Sequence, residues 1–212
     1  MNPPPAAATD PGIEALYRTT TTPTFVVVPC LRFVCSDGHG DPNTSPAYAA
    51  AIQALYSVAY TAKFALKKSG GPNVKVPPLE GLWWAEDPDV FVTGDKTGWN
   101  WSMMLRLPDE ITDDMVDDAA SEVAAKKNMP AALDLRLIAF EEGPSAQVLH
   151  LGPYATEGPT IARLHDFIRE HGYTFERPEL RHHEIYLGDP RRSAPERLRT
   201  IIRQAYIDPS SE

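Results

Sequence analysis

The sequence predicts an α+β fold: a duplicated βαββ unit whose strands form an antiparallel sheet with helices packed on one face. Three observations point there. Alternating or β-branched runs of strand length are numerous, helical periodicities lie between them, and the order strand, helix, strand, strand recurs near both ends of the chain. With 212 residues the chain is long enough to bury a substantial core.

Residues 1–22, with Pro3-Pro4-Pro5 and the threonine run 19–22, read as a disordered N-terminal arm. A single domain is expected over 23–207, followed by a C-terminal tail at 208–212. Phe25 and Val26-Val27-Val28 open a strand to about Val34 with a bend at Pro29, and the Gly/Asp/Pro/Asn cluster from Ser36 to Ser45 reads as a loop. Pro46 suits the first turn of a helix whose apolar face is Ala51, Leu55, Val58, Ala62 and Leu66, ending at Gly70-Gly71. Strands at 79–86 and 99–107, joined by a turn around Pro88 and Gly94, read as an antiparallel hairpin. From Pro108 to Lys127, six acids near the start and Lys126-Lys127 at the end complement a helix dipole, so a surface helix is expected. Residues 133–141 and 146–151 read as a strand pair around Gly143-Pro144. A helix over 157–171, a strand over 182–187 and an apolar piece at 200–207 complete the chain.

The balance of 20 basic against 29 acidic residues, a net charge of −9, repels nucleic-acid phosphates; a neutral or cationic aromatic ligand is the easier partner. Cys30 and Cys35 lie five apart in one strand. They point to opposite faces roughly 16 Å apart, too far to bridge. With no signal peptide and no apolar run near about 18 residues, a cytoplasmic protein without membrane contact is expected. The histidines form no ligand spacing, and neither a metal nor a cofactor is expected.

Chemistry concentrates in His182-His183-Glu184-Ile185-Tyr186-Leu187. Period two sets Glu184 beside Tyr186 and His182 on one face, with His183, Ile185 and Leu187 on the other. That face is either a solvated strand surface or the lining of a pocket. Trp99, Trp101 and Met103 share a face of another strand, and Trp83-Trp84 adds two more indoles; core packing and a groove for stacked ligands are both open. Tyr56, Tyr60 and Phe64 recur every fourth residue on the first helix, a stripe that packs on the sheet or lines a ligand wall.

The spaced set His150-x-Gly152-Pro153-Tyr154-x-x-Glu157, the His183-Glu184-Ile185-Tyr186-Leu187 strand and the tryptophan-rich strands resemble the GyrI-like small-molecule-binding family over roughly residues 24–207. The resemblance implies a ligand groove between two βαββ halves, with Glu184 as the family's buried acid and Tyr154 and Tyr186 as its recurrent tyrosines. It implies binding of flat hydrophobic or cationic molecules, with Trp83, Trp99, Trp101, Met103, Tyr56, Tyr60 and His182 as candidate lining. A stand-alone subfamily hydrolyses the cyclopropane of DNA-alkylating natural products such as yatakemycin, which implies catalysis by Glu184, Tyr154 and Tyr186. Members also act as gyrase inhibitors or as drug-sensing halves of transcription regulators. The short arm and tail leave no room for a helix-turn-helix, so no direct nucleic-acid contact is expected; non-catalytic sequestration of drugs, or sensing for a separate regulator, is the alternative.

Overall fold

The computed structural model describes residues 12–86, 96–177 and 179–209. The expected turn at Pro88 and Gly94 lies outside them. Among the described residues there are six strands: β1 (Thr24–His39), β2 (Leu79–Trp84), β3 (Asn100–Arg106), β4 (Arg136–Leu151), β5 (His182–Tyr186) and β6 (Arg199–Ala205). The helices among the described residues are α1 (Pro46–Lys68), α2 (Asp113–Lys127) and α3 (Gly158–Glu170), with short 3-10 turns between elements. Among the described residues no helix is long and apolar enough to cross a membrane.

The chain forms two compact units, Leu31–Phe140 on one hand and the residues before and after it on the other. Strand, helix, strand, strand does recur as β1-α1-β2-β3 and β4-α3-β5-β6. The recurrence is one of element order: one compact unit holds α1-β2-β3 and the other α3-β5-β6, and the boundary between them falls inside the first strand of each block. β1 and β4, each 16 residues long, run from one unit into the other at Cys30/Leu31 and Phe140/Glu141.

In Leu31–Phe140 the antiparallel order is β1-β3-β2, with Cys35 opposite Met104 and Trp83 opposite Trp101. β1 continues five residues past its expected end, so the loop begins at Gly40 rather than Ser36. Three contacts hold the extension: Asp37 pairs with Arg136 and accepts from the Ser102 hydroxyl at 2.6 Å, and Gly38 lies under the Trp101 indole. A Cβ at Gly38 would come within 2.1 Å of Trp101 Cζ2. Gly38→Ala is therefore expected to destabilise the protein by about 1–3 kcal/mol through overpacking, read as a lowered urea midpoint at unchanged slope.

Ser45 caps α1 by accepting from the Tyr48 amide, and Pro46 occupies its first turn. The face Ala51, Ala54, Leu55, Val58, Ala59, Ala62 and Leu66 is buried, against β3 and α2. Each large apolar side chain so buried contributes roughly 1.5–3 kcal/mol. Thr112 caps α2, and Asn128 ends it with φ 50°, a left-handed conformation that asparagine tolerates.

In the other unit the order is β4-β6-β5, again antiparallel, with Val148 opposite Ile202 and Ile185 opposite Ile201. The expected strand pair around Gly143-Pro144 is a single strand. Gly143 takes φ 69° and the Pro144 carbonyl accepts from the Tyr206 amide, so the ladder passes through the pair instead of folding back. Leu164 and Ile168 of α3 pack on Ala146, Val148 and Ile202, while Tyr17 and Leu187 flank Leu149, Ile185 and Ile201. Order thus begins earlier than the sequence suggests: Ile13–Tyr17 form a 3-10 turn in the expected arm, and Leu16 is 1% exposed. An apolar residue amid proline and threonine is a weak signal, but β4 and β6 anchor the segment, the Leu149 amide donating to the Thr20 carbonyl and the Arg203 guanidinium to the Leu16 carbonyl.

Candidate functional site: an acid, a phenol and an imidazole on one strand

The turn after β4 is built to carry Tyr154. Gly152 has φ 126°, which favours glycine, and its amide donates to the Leu198 carbonyl. Behind it His150, 5% exposed, lies 3.1 Å from Thr160 Oγ1 through Nδ1 and 3.3 Å from the Pro153 carbonyl through Nε2. A carbonyl only accepts, so Nε2 carries the proton and Nδ1 accepts from Thr160. The His150-x-Gly-Pro-Tyr spacing is thereby a brace, and Tyr154, 38% exposed, stands at its tip.

Tyr154 meets Tyr186 edge to face, with ring centroids 5.5 Å apart. Tyr186 belongs to β5, whose alternation buries His183 and Ile185 and leaves His182, Glu184 and Tyr186 partly buried on the other face. The Tyr186 hydroxyl donates to Glu184 Oε2 at 2.7 Å, and His182 Nε2 lies 3.1 Å from Glu184 Oε1. Glu184 is 14% exposed. Burial alone would raise its pKa; the His182 hydrogen bond and charge, then the Tyr186 hydroxyl and the His183 charge, outweigh this and lower it. Glu184 is a held carboxylate.

Behind β5 lies a network that the sequence reading missed. His183 Nδ1 is 3.0 Å from Glu142 Oε2, Arg203 Nη1 donates to the same oxygen at 3.2 Å, and Arg203 Nε and Nη2 donate to Gln147 Oε1. The Glu142, His183 and Arg203 side chains are 3%, 1% and 2% exposed. A signal was present: Gln147 lies between Ala146 and Val148 and Arg203 follows Ile201-Ile202, and a charge set in such a run needs a partner. Burial acts to raise the Glu142 pKa, but the His183 and Arg203 charges and hydrogen bonds bring it to about 2. On α3, burial first, then the His182 and Arg169 charges, lowers His165 to about 4.

Both shifts make stability fall with acidification. His165 takes up its proton less readily in the folded than in the unfolded protein, so stability is lost between about pH 6.5 and 4; the Glu142 contribution is lost from about 4.5 towards 2. Urea midpoints measured from pH 7 down are expected to decline in that order, and a His165→Phe variant is expected to remove the upper decline.

The remaining candidates belong to Leu31–Phe140. Trp101, Met103 and Trp83 are 1%, 0% and 5% exposed, so in this structure they are packed side chains. Trp99 is partly buried; it meets Trp83 at 5.7 Å and has Lys96 Nζ 5.0 Å from its ring centre. Tyr48, in the first turn of α1, sets its ring edge to face with Trp101 at 5.1 Å. The Tyr56, Tyr60, Phe64 stripe does not pack on the sheet: the three rings stack on one another, and Tyr60 and Phe64 are 45% and 60% exposed. The alanine-rich face of α1 is the closer-packing one and takes the core side. Among the described residues no three His, Cys, Asp or Glu side chains are grouped to hold a metal ion.

A model of the family described as GyrI-like small molecule binding domain matches residues 21–205. No curated protein matches the chain. Among solved structures, an uncharacterized conserved protein from Listeria innocua is 35% identical with a TM-score of 0.84, covering 92% of this chain and 97% of that one. A hydrolase from Listeria innocua is 33% identical with a TM-score of 0.79, covering 92% and 96%. The C-terminal domain of EcmrR, 10% identical over 88% of this chain and 98% of that one, has a TM-score of 0.53 and shares the fold.

Proposed function

The chain belongs to the GyrI-like small-molecule-binding family, and from that premise we propose that the face of β5 carrying Glu184 binds a flat hydrophobic or cationic molecule and hydrolyses a cyclopropane conjugated to a carbonyl. The observation that carries the reading is the 2.7 Å pairing of an ionised acid with a phenol, beside a second tyrosine held at the tip of a braced turn. The likeness to a hydrolase from Listeria innocua supports the reaction class.

In the proposed reaction, water attacks the strained ring carbon and gives a proton to Glu184. The ring C–C bond breaks, its electron pair passes to the conjugated carbonyl oxygen, a proton from Tyr154 or Tyr186 completes the enol or phenol, and the proton held by Glu184 returns to the tyrosinate, so that one water is added net. The Tyr154 and Tyr186 rings orient the flat substrate. In Leu31–Phe140, taken by itself, Trp99 is the partly accessible indole that suits a stacked ring, while Trp83, Trp101 and Met103 are packed.

A second reading has its own observation. A carboxylate held well below its usual range is a weak base and a good counter-ion, which favours a binder that sequesters lipophilic cations without turnover. Incubation with a spirocyclopropane dienone, followed by mass spectrometry, is expected to yield the adduct of one water. Saturable rhodamine binding with no hydrated product would instead establish the binder.

A further inference from the structure

We propose that His182 is a positioning residue for Glu184: its Nε2 holds one carboxylate oxygen so that the other is presented to Tyr186 and the bound molecule. The inference rests on the proposed reading of the β5 site, and it changes what His182 does there. As a ligand contact, its imidazole would offer Nε2 to the bound molecule; in the structure Nε2 is engaged 3.1 Å from Glu184 Oε1.

Spacing on the strand makes this possible. His182, Glu184 and Tyr186 are successive residues on one face, about 7 Å apart in steps of two, so each outer side chain reaches the central carboxylate from its own side. Tyr186 takes Oε2 and His182 takes Oε1, and two donors on two oxygens fix the plane of the carboxylate. A carboxylate only accepts, so Nε2 carries the proton, and the bond is charge-assisted.

The neighbours of His182 keep it in that role. Gln204 lies opposite it in the β5-β6 ladder and spends its amide on the Leu180 carbonyl at 3.1 Å. His165 faces it from α3 with its ring against Phe175 at 4.2 Å, and burial together with the His182 and Arg169 charges holds it neutral down to about pH 4. Neither competes for the imidazole as an anion. Glu184 is the acid that His182 contacts.

The test compares His182→Phe, which keeps a flat ring and removes the donor, with His182→Gln, which keeps an N–H. Two quantities are read: rhodamine 6G affinity by fluorescence, and the Glu184 titration by carbon-13 NMR. In the Phe variant the Glu184 titration is expected to move up and the dye affinity to fall about ten- to hundredfold, the factor for losing a hydrogen bond to a charged group. The Gln variant is expected to restore both in large part, and both variants to melt near the wild-type temperature. Should the Phe variant not fold, His182→Asn, too short to reach Oε1, takes its place. An unmoved Glu184 titration in the donor-less variant overturns the proposal. Glu184→Gln is run beside them: wild-type dye affinity in that variant overturns the reading of the site, while the NMR titration still decides the role of His182.

Discussion

Glu184→Gln is expected to reduce cyclopropane hydrolysis by about 10² to 10⁴-fold, the contribution of one proton-transfer group, and to weaken binding of lipophilic cations as well. The substitution preserves shape and removes both the charge and the second acceptor. Glu184 accepts from Tyr186 through Oε2 and from His182 through Oε1; an amide offers an acceptor to one of them and an N–H to the other. Turnover measured by product mass and affinity measured with a rhodamine separate the two readings. Lost turnover with kept dye affinity marks a base, and lost dye affinity in a protein with no turnover marks a counter-ion. Wild-type values for both would remove Glu184 from the site.

The second large effect lies on the other side of the same strand. Arg203→Met is expected to cost about 3–5 kcal/mol of stability, because Glu142 is then left buried with His183 as its one cationic partner in the triad. The same guanidinium holds the Leu16 carbonyl at 2.7 Å, so the turn at Ile13–Tyr17 loses an anchor and protease cleavage near residue 18 is expected to accelerate. The double variant Arg203→Met with Glu142→Leu is expected to recover much of the loss, since it removes the orphaned charge together with its partner. Urea unfolding of the single and double variants measures both quantities. A cost below about 1 kcal/mol for the single change would show that water reaches Glu142.

Much of this was legible in the sequence, and the misses have common causes. The α1 face, the β2-β3 pairing and the β5 alternation followed from periodicity, because each buries one side and that side is marked in apolar residues. The tails of β1 and β4 were not marked. Gly38 and Gly143-Pro144 are turn-forming residues by local preference, and long-range partners override that preference: the Trp101 ring at one, the β6 ladder at the other. β1 and β4 also carry the chain between its compact units, at Cys30/Leu31 and Phe140/Glu141, so the boundary falls inside these two strands rather than between the two blocks.

The functional face was legible as a pairing and not as a charge state. Alternation sets Glu184 beside Tyr186 and His182, but the lowered pKa depends on the His182 bond and on the His183 charge from the opposite face, which no pattern along one strand reports. The tryptophans were ambiguous in sequence because a core and a stacking surface use the same residues. Burial separates them, with Trp101 and Trp83 packed and Trp99 partly accessible. For Tyr56, Tyr60 and Phe64 the helical period left sheet packing and a ligand wall both open; the alanine-bearing stripe takes the core side against β3 and α2, and Tyr60 and Phe64 stay exposed.

The central claim, that the Glu184 face of β5 receives the small molecule, is tested most directly by a crystal structure of the protein soaked with an unreactive lipophilic cation. The expected density lies against the Glu184 carboxylate with the Tyr154 and Tyr186 rings on the ligand, and is absent from a Glu184→Gln crystal soaked alike. Ligand bound elsewhere, with the Glu184, Tyr186 and His182 contacts unchanged and the β5 face empty, would contradict it.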